Sequence, residues 1–304
     1  MPGQSGSFAA MGATVPTLPA GQAAALIRAY DLQVAARRRQ TLLGFAVVAG
    51  LALVFGVLAE ADPTKLVANI GRLTSYVGRL FVLDSGQLVL LDPREWFWGL
   101  GKWLKLLGET LLIAYLGTVI GGLGAFVLSF LAARNTAPSG WMCFVVRRFL
   151  EVCRTVPEIV FALVFVVAFG LGALPGVLAL AIHTMGALGK LFSEVVENID
   201  MKPIDGVRAT GAAWIPTIRF AAVPQVLSNF TSYALLRFEI NVRGAAIMGF
   251  VGAGGIGQDL VEAIRKFYYS DVSAILVLIV VTVMCIDLAT ERARHALLGR
   301  EADR

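Results

Sequence analysis

The chain has 304 residues, 57% of them hydrophobic and only 15% charged, with a mean hydropathy of +0.75. Soluble domains carry about a quarter of their residues as charges, so this composition excludes an ordinary soluble domain and describes an integral membrane protein. Its partner is the lipid bilayer, and no nucleic-acid partner is expected.

About 20 apolar residues at 1.5 Å each cross about 30 Å of hydrocarbon, and on that ruler the chain has about six transmembrane helices. Residues 1–40 are rich in Gly, Ala, Ser, Pro and Gln and read as a mobile cytoplasmic tail ending in a short helix near Ala23 to Arg39. The first crossing runs from Thr41 to Ala59, and the segment 41–108 holds it together with an outer-side, interfacial stretch. Ala59-Glu60-Ala61 superficially resembles a cleavage site, but the long n-region and long apolar run predict a retained anchor. Around Trp96, Trp98 and Trp103 an amphipathic interfacial helix is expected, since Trp and Lys are at home among headgroups.

The main transmembrane domain is placed at 109–292. Its crossings run from about Glu109 to Ala133, Leu150 to Gly172, Val177 to Val196, Pro224 to Met248 and Val272 to Ala289, with a tight turn at Ala173-Leu174-Pro175-Gly176. Gly117 and Gly121 form a small-x3-small pair suited to close helix contact. Lipid demands that backbone groups be satisfied within each segment, and these runs are too long for barrel strands, so the fold class is an all-α membrane bundle. Cys143, Cys153 and Cys285 have no metal-ligand spacing and read as packing residues.

Lys and Arg are retained on the cytoplasmic side. Arg37-Arg38-Arg39 places the N-terminus there; six crossings return the C-terminal tail, 293–304, to the same side with Arg294 and Arg300. The second-to-third connection, with Arg134, Arg147 and Arg148, and the polar break near residue 205 then face the cytoplasm. The connection from Glu60 to Lys105 falls outside despite Lys65, Arg72, Arg79 and Arg94.

Within the polar break one short helix is predicted over about 201–217. Pro203 suits its first turn and Asp205 complements the positive end of its dipole. Ile204, Val207, Gly211, Ile215 and Ile218 recur at helical spacing as an apolar ridge, with Arg208 beside it. Gly211 permits either a left-handed backbone or a partner's close approach. An amphipathic connector lying on headgroups accounts for the same residues.

The spacing Asp205-Gly206-Val207, three residues, Gly211, nine residues, Ala221, one residue, Val223-Pro224 resembles the signature E-A-A-x3-G-x9-I-x-L-P of binding-protein-dependent ABC importer permeases. Gly211 and Pro224 match; Asp205, Gly206, Val207, Ala221 and Val223 are conservative departures. The resemblance extends from about Gly108 to Arg294, and three runs, Arg154-Thr155-Val156-Pro157-Glu158, residues 183–192 and residues 238–243, look most like phosphonate permeases of the PhnE type.

The resemblance implies a MetI-like, type I importer bundle in the bacterial inner membrane. Its cytoplasmic coupling helix, carrying Asp205, Gly206, Val207, Arg208, Ala209, Gly211 and Ala212 ahead of Pro224, would enter a groove on a separate ATPase. ATP and Mg would be bound by that partner ATPase dimer (PhnC-like) and not by this chain. An extracytoplasmic solute-binding protein (PhnD-like) would deliver solute. One signature per chain implies two permease chains, most simply a homodimer.

No nucleotide site is read in the chain itself. Gly252-Ala253-Gly254-Gly255-Ile256-Gly257 satisfies G-x-G-x-x-G but follows a membrane helix without a βαβ unit, and Thr184 to Leu191 lacks the first Gly and final Ser or Thr of a P-loop. Gly252, Gly254, Gly255 and Gly257 are instead expected to form a tight outer-side re-entrant turn near a gate, as in similar permeases, with a plain flexible loop as the alternative.

Ionisable residues within crossings are costly and so are functional candidates. Arg154 with Glu158, Lys190 with Glu194 and Glu239 with Arg243 are each four apart and can neutralise one another on one face. Arg237 has no such local partner, and His183 shares a face with Lys190. For a small phosphorus oxyanion, the candidate solute path is Arg237 and His183, supported by Lys190 and Arg243. A methionine-type permease, a secondary transporter and a non-transporting membrane scaffold are the alternatives.

Overall fold

The computed structural model describes residues 20–59, 63–83 and 85–302. Residues 1–19 of the expected tail, Glu60 and Ala61 of the possible cleavage site, and residues 303–304 lie outside the described residues. Among those described, all regular structure is helical apart from one isolated bridge between Val82 and Leu88. Two compact units divide between Leu73 and Thr74.

The first unit contains α1 (Ala20–Leu58). The expected short helix and the first crossing are one continuous helix of 39 residues, about 58 Å long at 1.5 Å per residue. From Ala23 to Leu43 there is no Gly or Pro to break it, and Arg37-Arg38-Arg39 are good helix formers, so a change of polarity at residue 40 does not end the helix. α2 (Pro63–Arg79) straddles the boundary between the units. It is strongly amphipathic, with Lys65, Arg72 and Arg79 at seven-residue intervals and Ile70, Leu73 and Val77 on another face.

The expected interfacial helix around Trp96 to Trp103 is not found. α3 (Pro93–Trp96) is a single turn capped by Asp92, and α4 (Leu100–Ala132) begins about nine residues before the predicted second crossing. Trp103 is 2% exposed in α4, the Trp96 indole N–H donates to Ser273 Oγ at 2.9 Å, and the Trp98 indole N–H donates to Asp271 Oδ1 at 2.8 Å. Protein groups, not headgroups, satisfy these indoles.

α5 (Gly140–Thr155) and α6 (Glu158–Phe169) meet at 85°, so the third crossing is broken rather than straight. Pro157 forces Val156 into extended backbone and cannot donate to the preceding turn. α6, with 12 residues, is about 18 Å long and too short to cross alone. The following turn lies at Gly170 and Gly172, both at positive φ, while Ala173 to Gly176 form the first turn of α7 (Ala173–Glu197). The tight turn therefore precedes its predicted place, because Pro175 is tolerated near a helix start.

After α8 (Met201–Ala209) and α9 (Trp214–Thr217), one turn of π-helix over Ile218–Ala222 leads into α10 (Val223–Met248). The wide turn lies where Pro224 has no N–H to offer the preceding carbonyls. A 3-10 turn (Gly249–Val251), α11 (Ile256–Arg265) and α12 (Tyr269–Ala302) complete the chain. Among the described residues four helices are long and apolar enough to cross a membrane, and counting each of two bent pairs, α5 with α6 and α9–α10 with α11, as one span gives up to six.

The centre of the second unit is the α4–α7 pair, its most extensive helix contact. A Cβ on Gly117 would lie 2.6 Å from Leu180 Cβ, and one on Gly121 would meet the Ala181 carbonyl and the Thr184 side chain, which is the close contact their spacing predicts. One apolar cluster, with Phe192, Val196, Ile204, Val226 and Phe230, lies at the α8 end; a second, with Ile113, Leu180, Val242 and Met248, lies mid-bundle.

Candidate functional site

α8 starts after Asp200, whose carboxylate accepts from the Lys202 amide, so Asp205 falls in the second turn, not the first. The predicted helix over 201–217 is interrupted. Gly211 has φ +82°, and Thr210-Gly211 turn the chain between α8 and α9. The apolar ridge is broken rather than continuous: Ile204 is fully buried, Val207 packs on the same cluster and Ile218 rejoins it at 7% exposed, but Ile215 is 70% exposed. Helical spacing carried across a left-handed glycine misplaces Ile215.

The other side of α8 is open. Asp205, Gly206, Arg208 and Ala209 are exposed, and nothing lies within 4 Å of a Cβ built on Gly206 or Gly211. No ion pair among the described residues includes Asp205 or Arg208. The element is nonetheless firmly seated. Ile204 is driven into the cluster with Val196 and Val226, Gln225 exchanges hydrogen bonds with the Asp200 backbone at 3.1 and 3.2 Å, and the Trp214 indole donates to the Thr136 carbonyl at 2.6 Å. Ala212 lies between Gly211 and α9, and Pro224, exposed, is the second residue of α10.

Mid-bundle, four helices bring polar groups together. Asn241 of α10, 1% exposed, donates from Nδ2 to Thr118 Oγ1 of α4 and Thr184 Oγ1 of α7, both at 2.8 Å, while its Oδ1 is buried without a partner. Arg237, one turn earlier on α10, points its Nε toward the same Thr184 hydroxyl at 3.5 Å and feels the charge of Glu158 at the start of α6. None of the ion pairs within 4 Å among the described residues includes Arg237. Glu158 lies 3.5 Å from His183 Nε2, not against Arg154, because the break at Pro157 turns α6 away from α5.

His183 Nδ1 lies 3.1 Å from the Val156 carbonyl, which can only accept, so this nitrogen carries the proton. The imidazole thus satisfies a carbonyl freed by the helix break. Of the four candidate path residues, His183 and Arg237 are brought together. Lys190 pairs with Glu194 at 2.9 Å, and Arg243 is held by Glu239 at 2.6 Å and Asp287 of α12 at 2.8 Å, so neither joins the cluster. Sequence reasoning missed Thr118, Thr184, Asn241 and Asp287. Its available signal was Asn241 one turn after Arg237, since uncharged polar residues escape a search for charges.

The glycine run is packed, not a plain flexible loop. Gly252, Gly254 and Gly255 have φ between +79° and +86°. The Gly172 amide donates to the Gly252 carbonyl at 3.0 Å, the Ile256 amide donates to Thr110 Oγ1 at 2.9 Å, a Cβ on Gly254 would lie 3.0 Å from Ala173 Cα, and one on Gly257 would overlap the Ala246 carbonyl. Helices flank it on both sides, with none of the strands a dinucleotide site requires, and residues 184–191 lie inside α7 and form no phosphate loop.

Residues 99–300 match the family of binding-protein-dependent transport system inner membrane components. The chain belongs to this family. It is 36% identical over 272 residues to the phosphite transport system permease protein PtxC of Stutzerimonas stutzeri, covering 85% of this chain and 94% of that protein. It is 42% identical over 190 residues to the phosphate-import permease protein PhnE of Mycolicibacterium smegmatis, covering 62% of this chain and 36% of that protein. In fold it resembles the MetNI methionine ABC transporter, with a TM-score of 0.57 and 22% identity over 68% of this chain and 98% of that one. Family membership makes the chain a multi-pass permease subunit of an inner-membrane transport system, a transport component rather than an enzyme. It overturns the secondary-transporter and scaffold readings.

Proposed function

We propose that this permease carries phosphite, a phosphonate or a closely related phosphorus oxyanion inward by alternating access, driven by a separate ATPase dimer that binds ATP and Mg. The observation that carries this reading is the 36% identity to a phosphite permease along 94% of its length. Likeness to a methionine transporter at 22% identity speaks to fold alone. An extracytoplasmic binding protein delivers the solute, and two copies of this chain pair across the membrane with both termini in the cytoplasm.

In this reading α8 enters the ATPase through Asp205, Gly206, Arg208 and Ala209, which are exposed on a seated helix. Gly211 and Ala212 shape the turn behind it, and Pro224 opens the following crossing. Arg237 lines the solute path with Thr184 and Asn241, since a half-buried cation outside the ion pairs is suited to lower the barrier to an anion. His183 steadies the α5–α6 break beside them, Lys190 and Arg243 contribute field from outside the cluster, and Gly252, Gly254, Gly255 and Gly257 form the outer gate.

The test is uptake of labelled phosphite by cells dependent on this system, challenged with unlabelled phosphite, methylphosphonate, phosphate, sulfate and methionine. Competition by the phosphorus compounds alone supports the reading. Equal competition by sulfate or methionine would contradict it.

A further inference from the structure

The end of the bundle that carries α8 also holds a basic cavity. About 330 Å³ in volume, it opens between the α4–α5 loop and the start of α5, lined by Arg134, Ser139, Cys143, Phe144, Arg147 and Arg148. Its cations are unequally committed. Arg147 donates from Nε to the Ala132 carbonyl at 2.7 Å and forms an ion pair with Glu197 at the end of α7. Arg148 forms an ion pair with Glu151 of its own helix, at 2.5 Å, and its side chain is 59% exposed. Arg134 engages Glu197 through its backbone amide at 2.9 Å, and its guanidinium takes part in none of the ion pairs among the described residues. Three arginines thus face two carboxylates, leaving a positive surplus.

The wall beyond the cavity is apolar. Trp141, 74% exposed, stacks on Phe144, and Val145, Phe149 and Val152 continue the same face of α5 outward. The Arg148 guanidinium lies over the Phe144 ring, 5.5 Å from its centroid. The exposed face of α5 thus sets the Arg148 cation and an amphipathic ring among aliphatic side chains, the groups that suit a headgroup, an interface and an acyl chain side by side.

We propose that this cavity holds the phosphate of an anionic phospholipid whose acyl chains lie along the exposed face of α5. A soluble phosphate would satisfy Arg134 and Arg148 but leave Trp141, Phe144, Phe149 and Val152 uncovered, and the lipid covers both. The cavity adjoins the loop that seats the α8 region. Glu197 accepts from Arg134, Asn135 donates to the Val196 carbonyl at 2.7 Å, and Thr136 receives the Trp214 indole. Lipid bound here therefore steadies the end of α7 and α9 on either side of α8. This site is independent of which solute the permease carries.

The experiment titrates the full-length chain, purified in detergent, with dioleoylphosphatidylglycerol, dioleoylphosphatidylcholine or inorganic phosphate, following the thermal unfolding midpoint. The Arg134→Gln/Arg148→Gln double variant is compared with wild type, with Arg147 left intact because it is bonded to the backbone. Phosphatidylglycerol is expected to bind wild type roughly thirtyfold more tightly than the double variant, about fivefold per juxtamembrane cation, while the other two ligands give no comparable shift. If the double variant does not fold, the exposed Arg148→Gln alone is expected to show the fivefold loss. Equal binding of both lipids, unchanged binding by the variants, or an equal shift from inorganic phosphate would overturn the proposal.

Discussion

Glycines at two places in this permease do opposite work. In the 249–257 turn they are small because neighbours occupy the space: a Cβ on Gly254 would press on Ala173 and one on Gly257 would overlap the Ala246 carbonyl. Around α8 they face emptiness, with nothing within 4 Å of a Cβ on Gly206 or Gly211. The first region is finished by its own chain. The second leaves its exposed face open, and only Gly211 among its glycines is required by backbone conformation, at φ +82°.

The sharpest break of that comparison is Gly257→Ala, where backbone blocks the new methyl and no flexible side chain can yield. We expect a loss of about 3 kcal/mol or more, read as a collapse in monodisperse yield and a lowered unfolding midpoint. Gly211→Ala should cost about 1–2 kcal/mol through its left-handed backbone, leave the bundle folded, and cut ATP turnover driven by loaded binding protein at least tenfold. Retained coupling there would separate the turn from the function.

A smaller effect is expected inside the bundle. Arg237→Gln should lower phosphite uptake about tenfold, roughly the 1.4 kcal/mol of one charge-assisted contact, while the purified protein still binds its ATPase. Arg243→Gln, whose guanidinium serves Glu239 and Asp287, should lower the unfolding midpoint and, acting on the path only as distant field, lower phosphite uptake less than Arg237→Gln does. Smallest in stability is Gly206→Ala, which adds a helix-favouring methyl in open space and should stabilise α8 by about 0.5–1 kcal/mol. Its diagnostic readout is weaker ATPase association; unchanged association would mean the open face is not the docked one.

The sequence made the family and bundle legible because long apolar runs and the Asp205 to Pro224 spacing are local features. What it misjudged came from breaks. Residue 40 changes polarity yet interrupts no helix, whereas Pro157 and Gly211 redirect the chain so that spacing on one side says nothing about the other. The Arg154–Glu158 pair failed for this reason, while Lys190–Glu194 and Glu239–Arg243, within unbroken helices, formed as spaced. The Thr118–Thr184–Asn241 bonds unite three helices through uncharged groups, and only tertiary packing brings them together.

The central claim is that α8 transmits ATPase work to the movement of a phosphorus oxyanion. Its most direct test is ATP turnover by the permease with its ATPase in lipid discs, with the binding protein absent, empty, or loaded with phosphite. The account predicts stimulation only with the loaded binding protein, cut at least tenfold by Gly211→Ala. Turnover indifferent to loading, or stimulation that Gly211→Ala leaves undiminished, would contradict it.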